Sequence, residues 1–282
     1  MTALRQRMIE DMRLRNFSPH TQTAYTHAVA AFARHFKQSP EKLTGEHARE
    51  YLLYLIQERK VSVSLYNIAR CALRFLYQVT LGRDEHFDRL PYARARRRLP
   101  VVLSQNELQR FFAVVRNVKY KTMCMVAYGA GLRASEVVSL RVDDIDSSRM
   151  LIRVRNGKGQ KDRYAKLSPR LLAMLRDYYS KYKPHDLLFR SRTGGPMTGL
   201  DFSRATATVC RRTGFSKRVT PHTFRHSYAT HMLDAGADLR TIQVLLGHRN
   251  IKTTTIYLHV SQAKIDSAPS PFDLMYQQPT QS

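Results

Sequence analysis

The apolar positions of residues 1–90 recur every three or four residues, which is the spacing of one face of an α-helix. Four segments show this pattern. Ser18-Pro19 and Thr44-Gly45 mark two of the starts, because serine and threonine favour the N-cap and proline favours the first helical position. The fourth segment covers about residues 64–80, and these apolar side chains are expected to face inward: Leu65, Ile68, Ala72, Phe75 and Leu76. The pattern predicts a small bundle of four short helices.

From Ser104 onward the pattern becomes mixed. Ser104 and Glu107 have the spacing of a capping box at a helix start. Ile152 and Val154 alternate with arginines, a glycine-containing turn follows at 156–159, and the chain returns at 163–167. This pattern is typical of a β-hairpin, and it places a lysine at the tip.

Further helix starts follow the hairpin. They are predicted at Ser168-Pro169, near Gly199, at Thr220-Pro221 and at Asp238, and Gly247 is expected to end the last of these helices. A helix that begins at Arg133 is predicted upstream, after a glycine-flanked turn. The fold class predicted for the chain is therefore mainly α with a small β-sheet.

The charge of the chain indicates a polyanionic partner. Lys and Arg number 47 against 22 Asp and Glu, so the net charge is +25, and the excess is spread through both halves. DNA or RNA is the simplest partner, although a basic protein kept soluble by its charge remains an alternative. Three widely spaced cysteines exclude a disulfide framework and a Cys-x-x-Cys zinc site, and they favour a reducing cytoplasm. We expect neither a membrane span nor a signal peptide.

Residues 91–103 predict an exposed basic linker, because two prolines bracket four arginines: Arg94, Arg96, Arg97 and Arg98. Such a linker is either a solvated hinge or a segment that lies along a DNA backbone. Arg70 and Arg74, one turn apart on the fourth helix, have the same two interpretations: solvated side chains or phosphate contacts.

A set of polar residues in the second half suits cleavage of a phosphodiester. Without a metal, arginines must neutralise the charge that grows on the phosphate oxygens, and Arg133 and Arg225 fit this role. His222 lies three residues before Arg225, in the first turn of a helix, where an anion is favoured. A metal site at His222, His226 and His231 is the alternative, but the His-Glu-x-x-His pattern of a zinc site is missing.

The other side chains of this set supply a nucleophile and a proton. Tyr257 can attack phosphorus and keep the bond energy in a phosphotyrosyl ester, so no ATP is needed to reseal the strand. Lys158 at the hairpin tip can give a proton to the leaving oxygen. His248 follows Gly247 and can project into the same cleft.

The order of these motifs closely resembles the tyrosine recombinase (phage integrase) family, with the Xer-like branch nearest. The motifs are G-A-G-L-R-A-S-E, N-G-K-G-Q-K-D-R, P-H-T-F-R-H-S-Y-A-T-H-M-L, L-L-G-H and T-T-T-I-Y-L-H-V. The resemblance runs from about Val101 to His259. The segment R-N-F-S-P-H-T-Q-T-A-Y also resembles the helical, SAM-like core-binding domain of that family.

The resemblance implies a role for each residue of the set. Arg133 and Arg225 would clamp the scissile phosphate, and Tyr257 would be the nucleophile, leaving a 3′-phosphotyrosine and a free 5′-hydroxyl. Three further roles are implied: Lys158 as general acid, His222 in proton transfer at the tyrosine, and His248 as a hydrogen-bond donor to a phosphate oxygen. Glu136 would support the catalytic residues without contacting the phosphate itself. No metal and no cofactor are implied.

The resemblance also implies an assembly. A helical core-binding domain and an α/β catalytic domain would form a C-shaped clamp around duplex DNA, and a homotetramer would exchange strands through a Holliday junction. The residue patterns predict these bounds: 1–90 for the core-binding domain, 91–103 for the linker, 104–268 for the catalytic domain and 269–282 for a tail. Phe272, Leu274 and Met275 in that tail form either an apolar plug for a neighbouring protomer or a frayed terminus.

Several functions remain open on the sequence. Integration or excision of a mobile element is favoured, and Xer-type resolution of chromosome or plasmid dimers, with or without a partner recombinase, is the first alternative. A type IB topoisomerase-like enzyme and a non-catalytic DNA-binding regulator are the others. A cytoplasmic, nucleoid-associated location is expected for all of them.

Overall fold

A computed structural model of the chain describes residues 2–83, 91–94, 99–155, 162–213 and 215–261. The chain divides into two compact units, Met1–Arg97 and Arg98–Ser282. No helix among these residues combines the length and the apolar character that crossing a membrane requires. Lys158, Arg96, Arg97, Arg98 and the tail at 269–282 lie outside the described residues, so the expectations for them stay predictions.

The first unit is helical in its described part. Its helices are α1 (Ala3–Leu14), α2 (Pro19–Phe36), α3 (Gly45–Gln57) and α4 (Val63–Phe75), and α4 continues into a π-helical turn at Leu76–Thr80. Ser18 caps α2 by accepting a hydrogen bond from the Thr21 N–H, and Pro19 occupies the first turn. The helix starts predicted at Ser18 and Thr44 are confirmed. Met8, Met12 and Phe32 are among the buried residues of the core.

The inward face predicted for the fourth helix is partly wrong. Leu65 is 49% exposed, whereas Tyr66, Ala69 and Leu73 are buried. The helix has apolar residues on more than one side, and the 3.6-residue period gives no reason to prefer one of these stripes. Packing against α2 and the rest of the bundle determines that the apolar face continuing through Leu76 is the one that is buried.

The expectation of an exposed Arg70 is also wrong. Its side chain is 3% exposed, and its guanidinium lies 3.8 Å from the centre of the Tyr92 ring. A cation over an aromatic face is favourable when water is excluded, so Arg70 is accommodated inside the unit and is not available to a phosphate. Arg74 is partly exposed, and its Nε donates to Gln78 Oε1 at 2.8 Å.

Residues 91–94 are attached to α4 by specific hydrogen bonds. The Tyr66 hydroxyl donates to the Pro91 carbonyl at 3.1 Å, and the Asn67 side chain pairs with both backbone groups of Ala93. Arg94 is exposed. The start of the predicted linker is therefore anchored to the first unit, which its proline and arginine content did not indicate.

The second unit combines seven described α-helices with a three-stranded sheet. The helices are α5 (Gln105–Val114), α6 (Val118–Gly129), α7 (Ala134–Val138), α8 (Pro169–Tyr182), α9 (Gly199–Thr213), α10 (Pro221–Asp234) and α11 (Leu239–Leu246). The strands are β1 (Ile145–Asp146), β2 (Leu151–Val154) and β3 (Arg163–Lys166). They pair antiparallel in the order β1-β2-β3, with Ile152 opposite Ala165. The predicted hairpin is confirmed, and β1 is an addition that the sequence pattern did not show.

Helix α10 passes through the centre of this unit. Phe224, Ser227, Tyr228 and Ala229 are all buried, so the helix contacts neighbours on most of its sides. The Ser227 hydroxyl accepts a hydrogen bond from the Leu103 N–H at 2.9 Å, which attaches the incoming chain to the core. Because α10 is enclosed in this way, the side chains of its first two turns have well-defined positions.

Candidate active site

The candidate site is formed by the ends of several elements of the second unit. Thr220 caps α10 by accepting from the Thr223 N–H, and this places His222, Arg225 and His226 on its first two turns. Arg133 is the N-cap residue of α7. His248 follows the residue that ends α11, and Tyr257 lies on a 3-10 helix at Thr255–His259.

Arg225 is buried and held by main-chain carbonyls. It is 3% exposed, and its two terminal nitrogens donate to Gly131 O at 2.5 Å and Leu246 O at 2.6 Å. Burial, followed by the charge of Arg133, lowers the pKa of Arg225 to about 9. The guanidinium therefore remains charged at neutral pH, and its orientation is set by two rigid backbone segments.

Glu136 is the negative centre around which three arginines are arranged. It is 6% exposed, and it binds Arg133 Nη1 at 2.6 Å and Arg163 Nη2 at 2.7 Å, with Arg225 Nη1 at 3.8 Å. Burial alone would raise the pKa of Glu136, but the charge of Arg163, the Arg133 N–H and the other arginines outweigh it and lower this pKa. The carboxylate is therefore ionised and compensates part of the positive charge.

Arg163 is a site residue that the sequence analysis missed. Its Nη1 donates to Leu245 O at 2.9 Å, so it joins β3 to the end of α11 as well as to Glu136. A signal was present, because Arg163 shares a strand face with the buried Ala165. An arginine on the inward face of a strand indicates a buried carboxylate partner, although it does not identify which one.

Two glycines allow backbone and arginines to approach closely. Gly247 ends α11 at φ 63°, and its carbonyl accepts from Arg133 Nη2 at 3.1 Å. Gly131 has φ +63°, and a Cβ there would lie 2.6 Å from Cδ1 of Tyr228. Both positions require a left-handed backbone, and neither has room for a side chain.

We expect Gly131→Ala to destabilise the protein by about 3 kcal/mol, because backbone strain is added to a clash with a buried ring. Gly236→Ala is the matched control: Gly236 also has positive φ, at +91°, but nothing lies within 4 Å of its Cβ position. The control should cost about 1 kcal/mol. Urea unfolding monitored by circular dichroism measures both changes, and equal losses would contradict the role of the Tyr228 contact.

His248 is a neutral hydrogen-bonding group in this site. Burial, and then the charges of Arg225 and Arg133, lower its pKa to about 3. Its Nδ1 lies 2.9 Å from Thr254 Oγ1, and its ring is nearly parallel to that of Tyr257, with 12° between the planes and 6.4 Å between the centres. Because Thr254 occupies Nδ1, Nε2 is the nitrogen available to a ligand.

Tyr257 is enclosed in a small apolar cluster with residues of α10 and α11. It is 1% exposed and packs with Tyr228, Leu233 and Leu246. Burial raises the pKa of Tyr257, although Arg225 and Arg133 act in the opposite direction. Its hydroxyl lies 3.1 Å from Nδ1 of His226, a contact that the sequence analysis did not identify.

The structure therefore brings together five of the six catalytic residues expected from the sequence. Arg133, Arg225, His248 and Tyr257 are linked by the contacts above, and the exposed ring of His222 lies 6.3 Å from the ring of His226. Within the described part of the chain, no group of three or more His, Cys, Asp and Glu side chains is placed to hold a metal ion.

Comparison with known proteins agrees with this arrangement. Residues 101–264 match the phage integrase family, and residues 4–86 match the phage integrase N-terminal SAM-like domain. The chain is 47% identical to the putative integrase/recombinase y4qK of Sinorhizobium fredii, over 98% of this chain and 90% of that protein. It is 30% identical to the tyrosine recombinase XerC of Listeria innocua, over 90% of this chain and 91% of that protein.

The fold is also that of solved recombinases. The structure of a lambda integrase dimer bound to a COC′ core site matches with a TM-score of 0.74 and 16% identity, over 96% of this chain and 98% of that one. A helical first unit, a mainly helical second unit with a small sheet, and an arginine-lined tyrosine define the class of tyrosine recombinases. This chain belongs to the phage integrase family.

Proposed function

We propose that this protein is a site-specific recombinase that cuts and rejoins duplex DNA through a 3′-phosphotyrosyl intermediate on Tyr257. The observation that carries the proposal is a buried tyrosine within range of the charges of Arg133 and Arg225. The guanidiniums of these arginines are fixed by Glu136 and by main-chain carbonyls. Such an arrangement suits a phosphodiester because positive charge is already in position where negative charge develops.

The reaction follows from the groups present. Arg133 and Arg225 use only part of their N–H groups on the protein, and the others contact the two non-bridging oxygens of the scissile phosphate. His248 donates to a phosphate oxygen. The Tyr257 oxygen attacks phosphorus, the 5′ oxygen leaves, and Lys158 supplies its proton. The phosphotyrosyl bond retains the energy of the broken bond, so the attack of a 5′-hydroxyl from a second strand restores the backbone.

Duplex DNA is the proposed partner, and the net charge of +25 supports it. Arg94 is exposed, and with Arg74 and the arginines at 96–98 it is proposed to contact the DNA backbone. Four protomers would exchange strands in pairs through a Holliday junction. A docked tail at 269–282 would join neighbouring protomers in this assembly.

Movement of a mobile element is the proposed biological role. The relative at 47% identity is named an integrase/recombinase, and XerC proteins match at 30–32%. The Xer names support the second role, resolution of chromosome or plasmid dimers.

The test is covalent capture on a nicked suicide duplex, chosen from a random DNA pool by binding. The wild-type chain should form an adduct that survives denaturation, with phosphate mapped to the Tyr257 peptide and a free 5′-hydroxyl on the released strand. EDTA should not change the yield, and binding should weaken steeply between 50 and 200 mM salt, by roughly 10³-fold or more for several phosphate contacts. An adduct on another residue, or release of a 5′-phosphate, would exclude the proposal.

A further inference from the structure

His226 is the residue that contacts the attacking oxygen. Its Nδ1 lies 3.1 Å from the Tyr257 hydroxyl oxygen, and the two ring centres are 5.8 Å apart. Tyr257 is 1% exposed, so its hydroxyl needs a partner within the protein. Across the described residues, His226 provides the only side-chain hydrogen bond to that hydroxyl. Nothing in the motif pattern had assigned His226 a part in the reaction.

The direction of this hydrogen bond follows from the burial of the Tyr257 hydroxyl and from the charge state of His226. Burial, and then the charges of His222 and Arg225, lower the pKa of His226 to about 4, so its imidazole is neutral at neutral pH. A neutral imidazole has one donating and one accepting nitrogen. A buried hydroxyl that did not donate would leave its proton unsatisfied, and Nδ1 is the acceptor within reach. Tyr257 therefore donates to Nδ1, and the ring proton of His226 is on Nε2.

His222 occupies a different position. It is exposed on the first turn of α10, and no hydrogen bond among the described residues joins it to Tyr257. The histidine that the family resemblance places in proton transfer is therefore one helical turn away from the one that touches the nucleophile.

We propose, on the basis of the function proposed above, that His226 is a further catalytic residue that accepts the phenolic proton of Tyr257 during attack on phosphorus. The O–H bond of Tyr257 breaks and its proton moves to Nδ1, which leaves an imidazolium. The bond between the Tyr257 oxygen and phosphorus forms, the bond from phosphorus to the 5′ oxygen breaks, and Lys158 protonates that oxygen. In rejoining, Nδ1 returns the proton to the tyrosine.

A weak base is sufficient in this step because the acidity of the phenol changes during the reaction. In the resting site burial raises the pKa of Tyr257, so the proton stays on oxygen and the tyrosine is unreactive. As the bond to phosphorus forms, the oxygen loses electron density and its proton becomes strongly acidic. Transfer to Nδ1 is then favourable and is concerted with attack. His226 thus keeps the nucleophile protonated until a phosphate is in place.

A second histidine and tyrosine pair on α10 provides a matched control. His231 Nδ1 lies 2.9 Å from the Tyr128 hydroxyl, on the same helix but away from the arginines around Glu136. The ring centres are 5.8 Å apart in this pair and in the pair of His226 and Tyr257, although the planes meet at 82° and 55° respectively. The His231 pair is not part of the reaction proposed here.

The test compares His226→Asn and His226→Ala with His231→Asn in the full chain, using single-turnover adduct formation on the nicked duplex. Asparagine Oδ1 occupies the place of Nδ1 and accepts the tyrosine hydrogen bond, but it cannot take up the proton. Both His226 variants should react about 100-fold more slowly than wild type, with unchanged DNA affinity. His226→Asn should keep the wild-type Tm, whereas His226→Ala leaves the Tyr257 hydroxyl without its partner and should have a lower Tm. His231→Asn should react at the wild-type rate. Imidazole in the buffer should accelerate His226→Ala alone.

Three results would overturn the inference. A wild-type rate in His226→Asn would mean that the contact only orients the tyrosine. Acceleration of His222→Ala by imidazole, with none for His226→Ala, would make His222 the proton acceptor. A wild-type chain that forms no adduct on Tyr257 would reject the proposed function itself, whereas a normal Tyr257 adduct together with an unaffected His226→Ala rejects only the role of His226.

Discussion

Tyr257→Phe should bind the DNA site with wild-type affinity and form no detectable covalent adduct. The substitution removes the attacking oxygen and keeps the ring, which continues to pack with Tyr228 and Leu246. One hydrogen bond to His226 is lost, at a cost of about 1 kcal/mol, so the fold should persist. Gel analysis of the nicked duplex measures the adduct, and fluorescence anisotropy measures binding.

Tyr128→Phe is the control for that experiment, because it also removes a hydroxyl that is hydrogen-bonded to a histidine of α10. It should lower Tm by a similar amount and leave adduct formation intact. If Tyr257→Phe still formed an adduct, the assignment of the nucleophile would be wrong. If Tyr128→Phe also lost adduct formation, the loss of activity in both variants would be explained by destabilisation of α10.

Glu136→Ala should destabilise the protein by about 3–5 kcal/mol and abolish adduct formation. The substitution leaves Arg133, Arg163 and Arg225 close together in a buried site without the carboxylate between them. The arginines would then repel one another, and Arg133 and Arg225, which are proposed to clamp the phosphate, would lose their orientation. Chemical unfolding at neutral pH measures the first effect, and the nicked duplex measures the second.

Glu107→Ala is the matched control, since Glu107 is also the third residue of a capped helix and also binds a cation, Lys217, at 2.8 Å. Its side chain is partly exposed, so its loss should cost no more than about 1 kcal/mol. A loss at Glu136 as small as that at Glu107 would contradict the central role of the buried carboxylate.

The stability that Glu136 contributes to the folded protein should decrease as the pH falls into the acidic range. Its pKa in the folded protein is lowered from the ordinary 4.5, so the unfolded chain takes up the proton first as pH falls. The contribution is therefore complete well above pH 4.5, and it is lost as pH falls through the folded pKa. The difference in unfolding free energy between wild type and Glu136→Ala should shrink over that acidic range.

Helix starts were predictable because their signals are local. Ser18, Ser104, Thr220 and Asp238 each cap a helix through a hydrogen bond to a backbone N–H two or three residues away. The alternation of Ile152 and Val154 with exposed arginines likewise predicted a strand from adjacent positions. Both kinds of signal act over a single turn or pleat, so the order of residues is enough to read them.

The buried face of α4 and the burial of Arg70 were not predictable in this way. Which apolar stripe of α4 is covered depends on the helices packed against it, and the environment of Arg70 depends on Tyr92, which reaches it from the segment after the bundle. Strand β1 is only two residues long, which is too short for a periodic pattern in the sequence. It is a strand because its residues pair with those of β2.

The sequence by itself determined the family and the helical character of both units, and it predicted a catalytic set that includes Arg133, Arg225, His248 and Tyr257. Only the tertiary structure decided how these residues are supported and which of them touch. Arg163 meets Glu136 across 27 positions, and His226 meets Tyr257 across 31. The physical reason is that a buried charge or hydroxyl pairs with a group that tertiary packing places within about 3 Å. The identity of that group leaves no periodic pattern in the sequence.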